Sequence, residues 1–159
     1  MMRRVFADEL YKWMEKDPDI WLVTCDLGYK MWDQIRDRFH DRFINVGAAE
    51  QAGMGVAVGL ALEGKKPFIY SISSFLLWRP AETIRLYLDH EKIPVRMVGG
   101  GRDKDYAHDG FSHDATDGAE LVKMWPNINS QWPTNDLEVA QAGTAMVTQN
   151  IPWYVNLKR

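Results

Sequence analysis

The sequence predicts an α/β fold with an open, mainly parallel sheet of about six strands and helices on both faces. Apolar runs of strand length alternate with segments of helical periodicity from one end of the chain to the other. The length of 159 residues suits one domain with a buried core, and a composition of 46% hydrophobic and 26% charged residues is ordinary for a globular protein. We therefore expect a single domain over residues 1–159.

The predicted elements alternate regularly along the chain. The strands cover residues 20–25, 42–46, 67–72, 95–99, 128–132 and 153–157. The helices cover residues 3–16, 31–39, 50–63, 80–90, 116–124 and 135–148. Pro80 suits the first turn of its helix, because a backbone N–H has no helical partner there. Gly53, Gly55 and Gly59 each cost helix 50–63 about 0.5–1 kcal/mol relative to alanine, so this helix is expected to pack closely against another backbone, deep in the domain or at a subunit contact.

The longest irregular stretch is the loop of residues 99–114, which is rich in Gly, Asp and His. Loops of this length inside a compact domain usually carry a function or are disordered. Because the loops that follow parallel strands meet at the carboxyl edge of the sheet, where ligands bind in open α/β folds, we expect the functional site at that edge.

Charge and hydropathy exclude several classes of function. The net charge is −3 with acids and bases interspersed, so there is no basic face for nucleic acid. No apolar stretch approaches the roughly 20 residues that span a bilayer, and the first residues lack the apolar segment of a signal peptide. The single cysteine, Cys25, ends an apolar run and is expected to be buried in a strand, with a catalytic thiol as the alternative. We expect a cytoplasmic protein in a reducing compartment, with neither nucleic acid nor membrane as partner.

Glu50 stands where a β-branched strand segment gives way to the first turn of the Gly/Ala-rich helix. The positive end of a helix dipole favours a carboxylate at such a position, and the uncharged neighbours can remove it from water. A carboxyl group in this setting is suited to proton chemistry. The alternative is a carboxylate that only caps the helix.

A second group of candidate residues lies in the segment His-Asp-Gly-Phe-Ser-His-Asp, residues 108–114. Asp109 and His113 are its candidate functional side chains. Two histidines and two aspartates so close together could bind a metal, but their spacing fits none of the strong zinc motifs, and a merely polar loop is the other alternative. The preceding run of residues 99–101 is all glycine but is not a Gly-x-Gly-x-x-Gly nucleotide fingerprint.

Residues 43–51, Phe-Ile-Asn-Val-Gly-Ala-Ala-Glu-Gln, with the Gly-rich helix and the Lys-Pro-Phe strand that follow, resemble the cofactor-activating strand-loop-helix of transketolases. The similarity continues through Ser-Ser-Phe-Leu-Leu-Trp at 73–78, Arg-Pro-x-Glu-Thr-Ile-Arg at 79–85, Gly-Gly-Gly at 99–101, Asp-Gly-Phe-Ser-His at 109–113 and Pro-Asn-Ile at 126–128. It ends with the closing strand, so it covers nearly the whole chain in order. The resemblance implies a thiamin-diphosphate-binding fold of the pyrimidine-domain type.

The resemblance implies that thiamin diphosphate is the cofactor. Glu50 would hydrogen-bond to its pyrimidine ring and promote removal of the C2 proton. Phe75 would stack on the ring, with Ile72 and Trp78 in the same apolar wall, although plain core aromatics are the alternative for Phe75 and Trp78. Asp26 and Leu27, which follow the first strand, match an Asp-Leu pair of transketolases. In those enzymes the pair contacts thiamin across the subunit boundary.

Asp109 and His113 match the family's residues that face the hydroxyl and carbonyl oxygens of the substrate. Two departures make substrate contacts, and phosphate recognition above all, less well matched than cofactor activation. Asp114 replaces a second histidine of many members, and Gly101 stands where several transketolases carry histidine. A further departure concerns the Asp26-Leu27 pair, because after Leu27 Gly-Tyr-Lys at 28–30 replaces a turn that contains Thr or Ser.

The sequence contains no Gly-Asp-Gly followed at the family's spacing by Asn, which is the magnesium and diphosphate signature of transketolases. We therefore expect a stand-alone pyrimidine-binding domain, without the diphosphate-binding and C-terminal domains, whose magnesium ligands lie on a partner subunit. It would act in a homodimer or heterotetramer that transfers a two-carbon ketol unit between sugars or sugar phosphates. The alternatives are the small subunit of a 2-oxoacid dehydrogenase, a deoxyxylulose-type synthase, or an inactive binding or regulatory module. The Arg-Pro-x-Glu-Thr-Ile-Arg segment favours the transketolase side.

Overall fold

Six parallel strands form one open sheet in the computed structural model, which describes residues 2–159. The strands are β1 (Ile20–Thr24), β2 (Phe43–Asn45), β3 (Lys66–Ile72), β4 (Arg96–Gly100), β5 (Asn129–Gln131) and β6 (Trp153–Leu157). Their order across the sheet is β2-β1-β3-β4-β6-β5, and every neighbouring pair is parallel. The predicted fold class is confirmed, and each predicted strand agrees with the structure to within one residue at either end.

Helices connect the strands. They are α1 (Met2–Lys16), α2 (Asp33–Arg38), α3 (Glu50–Leu62), α4 (Ser73–Trp78), α5 (Ala81–Thr83), α6 (Gly118–Lys123) and α7 (Asp136–Thr148). A π-helix (Ile84–His90) continues α5, and three short 3₁₀ helices cover His40–Arg42, Ala107–Asp109 and Phe111–His113. All six predicted helices are present, although the one predicted over residues 80–90 starts after Pro80 and turns into the π-helix. The prediction missed α4, because six residues are too few to show a helical period.

Side chains on the two faces of the sheet enter two separate cores. In β3, Phe68 and Tyr70 pack in a cluster with α1, α2 and α7, whereas Ile69 packs in a second cluster with α3, α4, the π-helix and α6. A strand that is buried on both faces is typical of a parallel sheet between two helix layers. The helices on both faces are therefore confirmed. None of the helices within residues 2–159 is long and apolar enough to cross a membrane.

The glycines of α3 have different environments. A Cβ atom at Gly53 would lie 3.0 Å from Val46 Cγ2 and 3.2 Å from Cys25 Sγ, so this position packs tightly against the sheet, as predicted. No atom lies within 4 Å of a Cβ at Gly55 or Gly59, which face outward. For these two glycines the predicted close packing inside the domain is wrong, and the exposed face of α3 leaves room for a neighbour outside it.

The direction of the chain changes between β1 and β3. From β1 the chain passes through α2 on one face to reach β2, and then returns through α3 on the other face to β3. Such a switch opens a crevice at the carboxyl ends of the two strands that diverge from it. Glu50 begins α3 at this edge of the sheet, where the residues that follow β1, β3, β4 and β6 also lie.

Candidate active site

Glu50 is a buried carboxylate whose two oxygens both have side-chain partners. Its side chain is only 1% exposed. Ser71 Oγ, from β3, donates to Oε1 at 2.7 Å, and Arg79 Nη1 donates to Oε2 at 2.5 Å. The residue before α3 is Ala49, which makes no side-chain cap. The contacts of Glu50 across the fold distinguish it from a carboxylate that only caps a helix, since an exposed cap needs neither Ser71 nor Arg79.

Arg79 connects Glu50 to an aromatic cluster. It follows directly after α4, and its guanidinium carbon lies 3.8 Å from the centroid of the Phe75 ring. The same ring meets the imidazole of His113 edge to face at a centroid distance of 4.8 Å. The structure therefore brings together three of the predicted site residues, Glu50, Phe75 and His113, and adds Arg79. In the sequence, Arg79 is visible only as part of the Arg-Pro-x-Glu-Thr-Ile-Arg segment, which predicts no role for it.

The loop that carries His113 is tied to α4. Ser74 Oγ donates to the backbone carbonyl of Ser112 at 2.8 Å, and Ser112 Oγ lies 3.1 Å from His113 Nδ1. Asp109 lies in the preceding 3₁₀ helix, where its exposed carboxylate pairs with His108 Nε2 at 3.3 Å. The backbone thus places Asp109 near His113 along the loop, but the carboxylate engages the other histidine.

The remaining predicted cofactor residues lie at the ends of two strands and one helix. Ile72 ends β3 directly before α4, and the half-exposed Trp78 ends α4, with its Nε1 donating to Asp117 Oδ2 at 3.2 Å. Asp26 follows β1 in a left-handed conformation with φ of 56°. Leu27 packs on the opposite face of the sheet from the cluster of α3, with the core of α1, α2 and α7. Leu27 therefore lies on the other side of the sheet from the Glu50 cluster, whereas Asp26 directly follows Cys25, whose thiol is near Glu50.

A buried hydrogen-bond network fixes the loop after β4 against α4. Asn156 Nδ2 donates to Ser73 Oγ at 2.6 Å and to the Tyr154 hydroxyl at 2.8 Å, while Asn156 Oδ1 accepts from Arg102 Nε at 3.0 Å. Burial raises the pKa of Tyr154, so its hydroxyl stays neutral. A Cβ atom at Gly99 would lie 2.6 Å from both Ser73 Oγ and the Tyr154 hydroxyl. Packing against this network therefore requires glycine at the start of the 99–101 run.

Cys25 lies directly after β1 and is 1% exposed. Burial, together with the nearby negative charge of Glu50, raises the pKa of its thiol to about 12. A thiol of this kind is a poor nucleophile near neutral pH. The structure thus agrees with a buried residue at the end of a strand and disfavours the alternative of a catalytic thiol.

Basic side chains lie next to the His113 loop, and they were not predicted from the sequence. Arg3 Nη1 donates to the Tyr106 hydroxyl at 3.0 Å, and the guanidinium carbon of Arg159 lies 5.2 Å from the centroid of the same ring. Tyr106 in turn lies 6.4 Å from His113, centroid to centroid. Arg3, with Lys30, also lines an adjoining groove of about 330 Å³. The two arginines come from opposite ends of the chain, so no local motif signals their proximity.

Within residues 2–159, no group of three or more His, Cys, Asp or Glu side chains is arranged to hold a metal ion. The metal alternative for the 108–114 loop thus has no structural support. A cavity of about 470 Å³ lies beside the cluster, between α4 and the His113 loop. Phe75, Trp78, Arg79 and Phe111 are among its lining residues. Aromatic walls next to a buried carboxylate fit a flat heteroaromatic ring with a hydrogen-bonding edge.

Comparison with known proteins gives a consistent result. The whole chain, residues 1–159, matches the family model described as "Transketolase, pyrimidine binding domain". A putative transketolase C-terminal section from Methanocaldococcus jannaschii is 28% identical over 159 residues, which are 99% of this chain and 50% of that protein. One subunit of the apulose-4-phosphate transketolase of Phocaeicola vulgatus is 26% identical over 158 residues, covering 99% of this chain and 51% of the relative. The chain thus spans about half the length of these relatives.

Solved structures agree with the sequence relatives. A protein described as "Split gene transketolase, inactive beta4 tetramer" superposes with a TM-score of 0.86 at 26% identity, over 99% of this chain and 51% of that one. Transketolase from Campylobacter jejuni superposes with a TM-score of 0.89 at 18% identity, over 99% of this chain and 25% of that one. The second similarity shows the shared fold alone.

Proposed function

The chain belongs to the transketolase family as its pyrimidine-binding domain, and we propose from this that it forms the pyrimidine-binding half of a split thiamin-diphosphate enzyme. The reaction would be transfer of a two-carbon ketol unit between sugars or sugar phosphates. The observation that carries the proposal is the buried Glu50 carboxylate, which Arg79 connects to Phe75 and to a cavity with aromatic walls. Burying a carboxylate is costly even when it is paired, as Glu50 is with Arg79 and Ser71, which favours a chemical use for Glu50 over a structural one.

The residues of the cluster have complementary roles in this proposal. Glu50 would hydrogen-bond to the pyrimidine ring and share a proton with it, with Ser71 holding the other carboxyl oxygen. Phe75, Ile72 and Trp78 would form the apolar wall. Thiamin diphosphate, when bound, supplies the nucleophilic carbon that carries the two-carbon unit. Asp26 and Leu27, directly after Cys25 in the loop that follows β1, would contact the cofactor across a subunit boundary.

Magnesium and the diphosphate group would be held outside residues 1–159, on a diphosphate-binding partner subunit. The sequence lacks the family's magnesium signature, and the relative from Phocaeicola vulgatus is itself named as one subunit of a transketolase. Side chains at the rim of the site also favour a covering partner, since Phe111 is 91% and Trp78 53% exposed. We propose a homodimer or heterotetramer in the cytoplasm, in which residues 1–159 contribute the pyrimidine-binding domain alone.

The substrate end of the site would recognise a phosphate. His113 lies at the junction between the Phe75 cluster and Tyr106, on which Arg3 and Arg159 converge. Arginine is well suited to binding phosphate oxygens through paired N–H donors. A sugar phosphate would then place its reacting end near His113 and Asp109 and its phosphate near the two arginines.

Reconstitution tests the proposed function. We expect the chain, purified under native conditions together with its partner, to release thiamin diphosphate and magnesium on denaturation and to transfer ketol units from ketose donors to aldose acceptors. The chain alone should do neither, because most of the diphosphate charge would be neutralised elsewhere. A donor panel that includes a 2-oxoacid separates the alternatives, since decarboxylation of the 2-oxoacid without ketol transfer would contradict the transketolase assignment. A native complex free of thiamin diphosphate would contradict the whole proposal.

Replacing Arg3 by Met tests phosphate recognition in the assembled enzyme. We expect the KM for a phosphorylated donor to rise about 10-fold to 100-fold, as for loss of one charged contact, while the KM for the same sugar without phosphate changes little. Arg38→Met, at the far end of α2, is the matched control. Equal losses for both sugars would show that Arg3 acts on the fold of the site and does not select the phosphate.

A further inference from the structure

Arg79 makes both of the contacts that the proposed cofactor would need. Its guanidinium lies over the Phe75 ring at 3.8 Å and donates to Glu50 Oε2 at 2.5 Å. The proposed function assigns the same two groups, the Phe75 ring and the Glu50 carboxyl group, to binding of the cofactor's pyrimidine ring. A guanidinium and an aminopyrimidine are both flat, and both stack on aromatic rings. The guanidinium donates to the carboxylate, whereas the ring nitrogen of the pyrimidine shares a proton with the same carboxyl group.

We propose that Arg79 is a placeholder: it occupies the pyrimidine position while the site is free of cofactor, and it swings out when the ring binds. The inference rests on the proposed function. It assigns to Arg79 a role opposite to that of a binding residue, because Arg79 competes with the cofactor for Glu50 and Phe75. The cofactor would therefore bind only to the fraction of molecules in which Arg79 has left, which lowers its apparent affinity.

The different exposure of Glu50 and Arg79 determines which of the two side chains moves. Glu50 is 1% exposed and held by Ser71, whereas the side chain of Arg79 is 45% exposed and borders the 470 Å³ cavity. Arg79 thus has an open route to solvent, and Glu50 has none. The ion pair also explains how the free chain tolerates a buried carboxylate, since Arg79 neutralises it until the ring replaces the guanidinium as its partner.

The displacement can be observed directly in the full chain with the free pyrimidine half of the cofactor, 4-amino-5-hydroxymethyl-2-methylpyrimidine, as the probe. The arginine Nε–H signals are followed by ¹H–¹⁵N NMR, with Arg79 assigned by its loss in Arg79→Met. We expect millimolar pyrimidine to shift the Arg79 signal towards that of a freely exchanging arginine. We also expect Arg79→Met to bind the pyrimidine about 10-fold more tightly than the wild type.

Two further variants complete the experiment. Arg79→Lys keeps the charge that neutralises Glu50 but loses the flat group over Phe75, so its affinity should lie between those of the wild type and Arg79→Met. It also covers the case in which Arg79→Met fails to fold. Arg85→Met removes an exposed arginine of the π-helix and should leave the affinity unchanged.

The outcomes separate the placeholder from the proposed function. Two outcomes would contradict the placeholder while leaving the proposed pyrimidine site in place. In the first, the pyrimidine shifts the signals of Ile72 and Phe75 but not that of Arg79. In the second, Arg79→Met or Arg79→Lys binds the pyrimidine more weakly than the wild type. If millimolar pyrimidine shifts no residue around Glu50 in any variant, both the placeholder and the proposed pyrimidine site are wrong.

Discussion

Replacing Glu50 by Gln is expected to slow exchange of the C2 proton of bound thiamin diphosphate by at least about 100-fold in the assembled enzyme, the loss typical of a positioned acid-base group. The amide keeps the size of the carboxyl group and can still accept the hydrogen bond from Ser71. It cannot hold or share a proton as a carboxyl group does. The fold and the subunit assembly should therefore survive while the proton chemistry is lost.

Quenched NMR of the cofactor after transfer to deuterated water measures this exchange separately from sugar binding. Glu63→Gln, at the exposed end of α3, makes the same chemical change away from the site and serves as the control. Urea unfolding of both variants checks that the comparison is between folded chains. Wild-type exchange in Glu50→Gln would remove the main support for the proposed function.

Replacing Asn156 by Leu is expected to lower the free energy of unfolding by about 3 kcal/mol, because a buried hydrogen-bond donor or acceptor left without its partner costs about 1–3 kcal/mol. Asn156 serves Ser73, Tyr154 and Arg102 at once, and each of these is buried. Leucine matches the size of asparagine but offers none of its hydrogen bonds. The loss is a large fraction of the stability of a domain of this size.

Urea unfolding measures the effect, and Asn129→Leu on β5 is the matched control. The side chain of Asn129 is exposed, and among residues 2–159 its one hydrogen bond is a long contact of 3.5 Å with Gln149, so its replacement should change stability by no more than about 0.5 kcal/mol. If Asn156→Leu were as mild as the control, the network would be able to rearrange. The inference that the Asn156 network fixes α4 against the loop after β4 would then be wrong.

The strands were predictable because each apolar run is short and is bounded by polar residues, Gly or Pro. The burial of β3 was predictable because a strand between two helix layers has few polar residues. The order of the strands was not, since nothing local places β6 between β4 and β5. The π-helix was also hidden, because apolar spacing over seven residues does not distinguish a wider turn from an α-helix.

The residues of the candidate site were predictable where they belong to a recognisable segment of the sequence. Glu50 follows from its place at the start of a Gly/Ala-rich helix, and Phe75 and His113 follow from the resemblance. Arg79 was visible in the sequence, but its pairing with Glu50 depends on how α4 sits over β3. Arg3 and Arg159 could not be found from spacing at all, because the position of β6 in the sheet brings the two ends of the chain together.

The two outer strands, β2 and β5, are only three residues long. Each sheet margin therefore offers few unpaired backbone groups on which another strand could add, and the polar sequence Asn-Ser-Gln of β5 makes such addition less favourable still. Sheet extension is thus a poor route to association, whether with a partner or in aggregation. A partner would instead dock on the helix layers and the loops at the carboxyl edge, and the chain should resist forming fibrils through its sheet even when its partner is scarce.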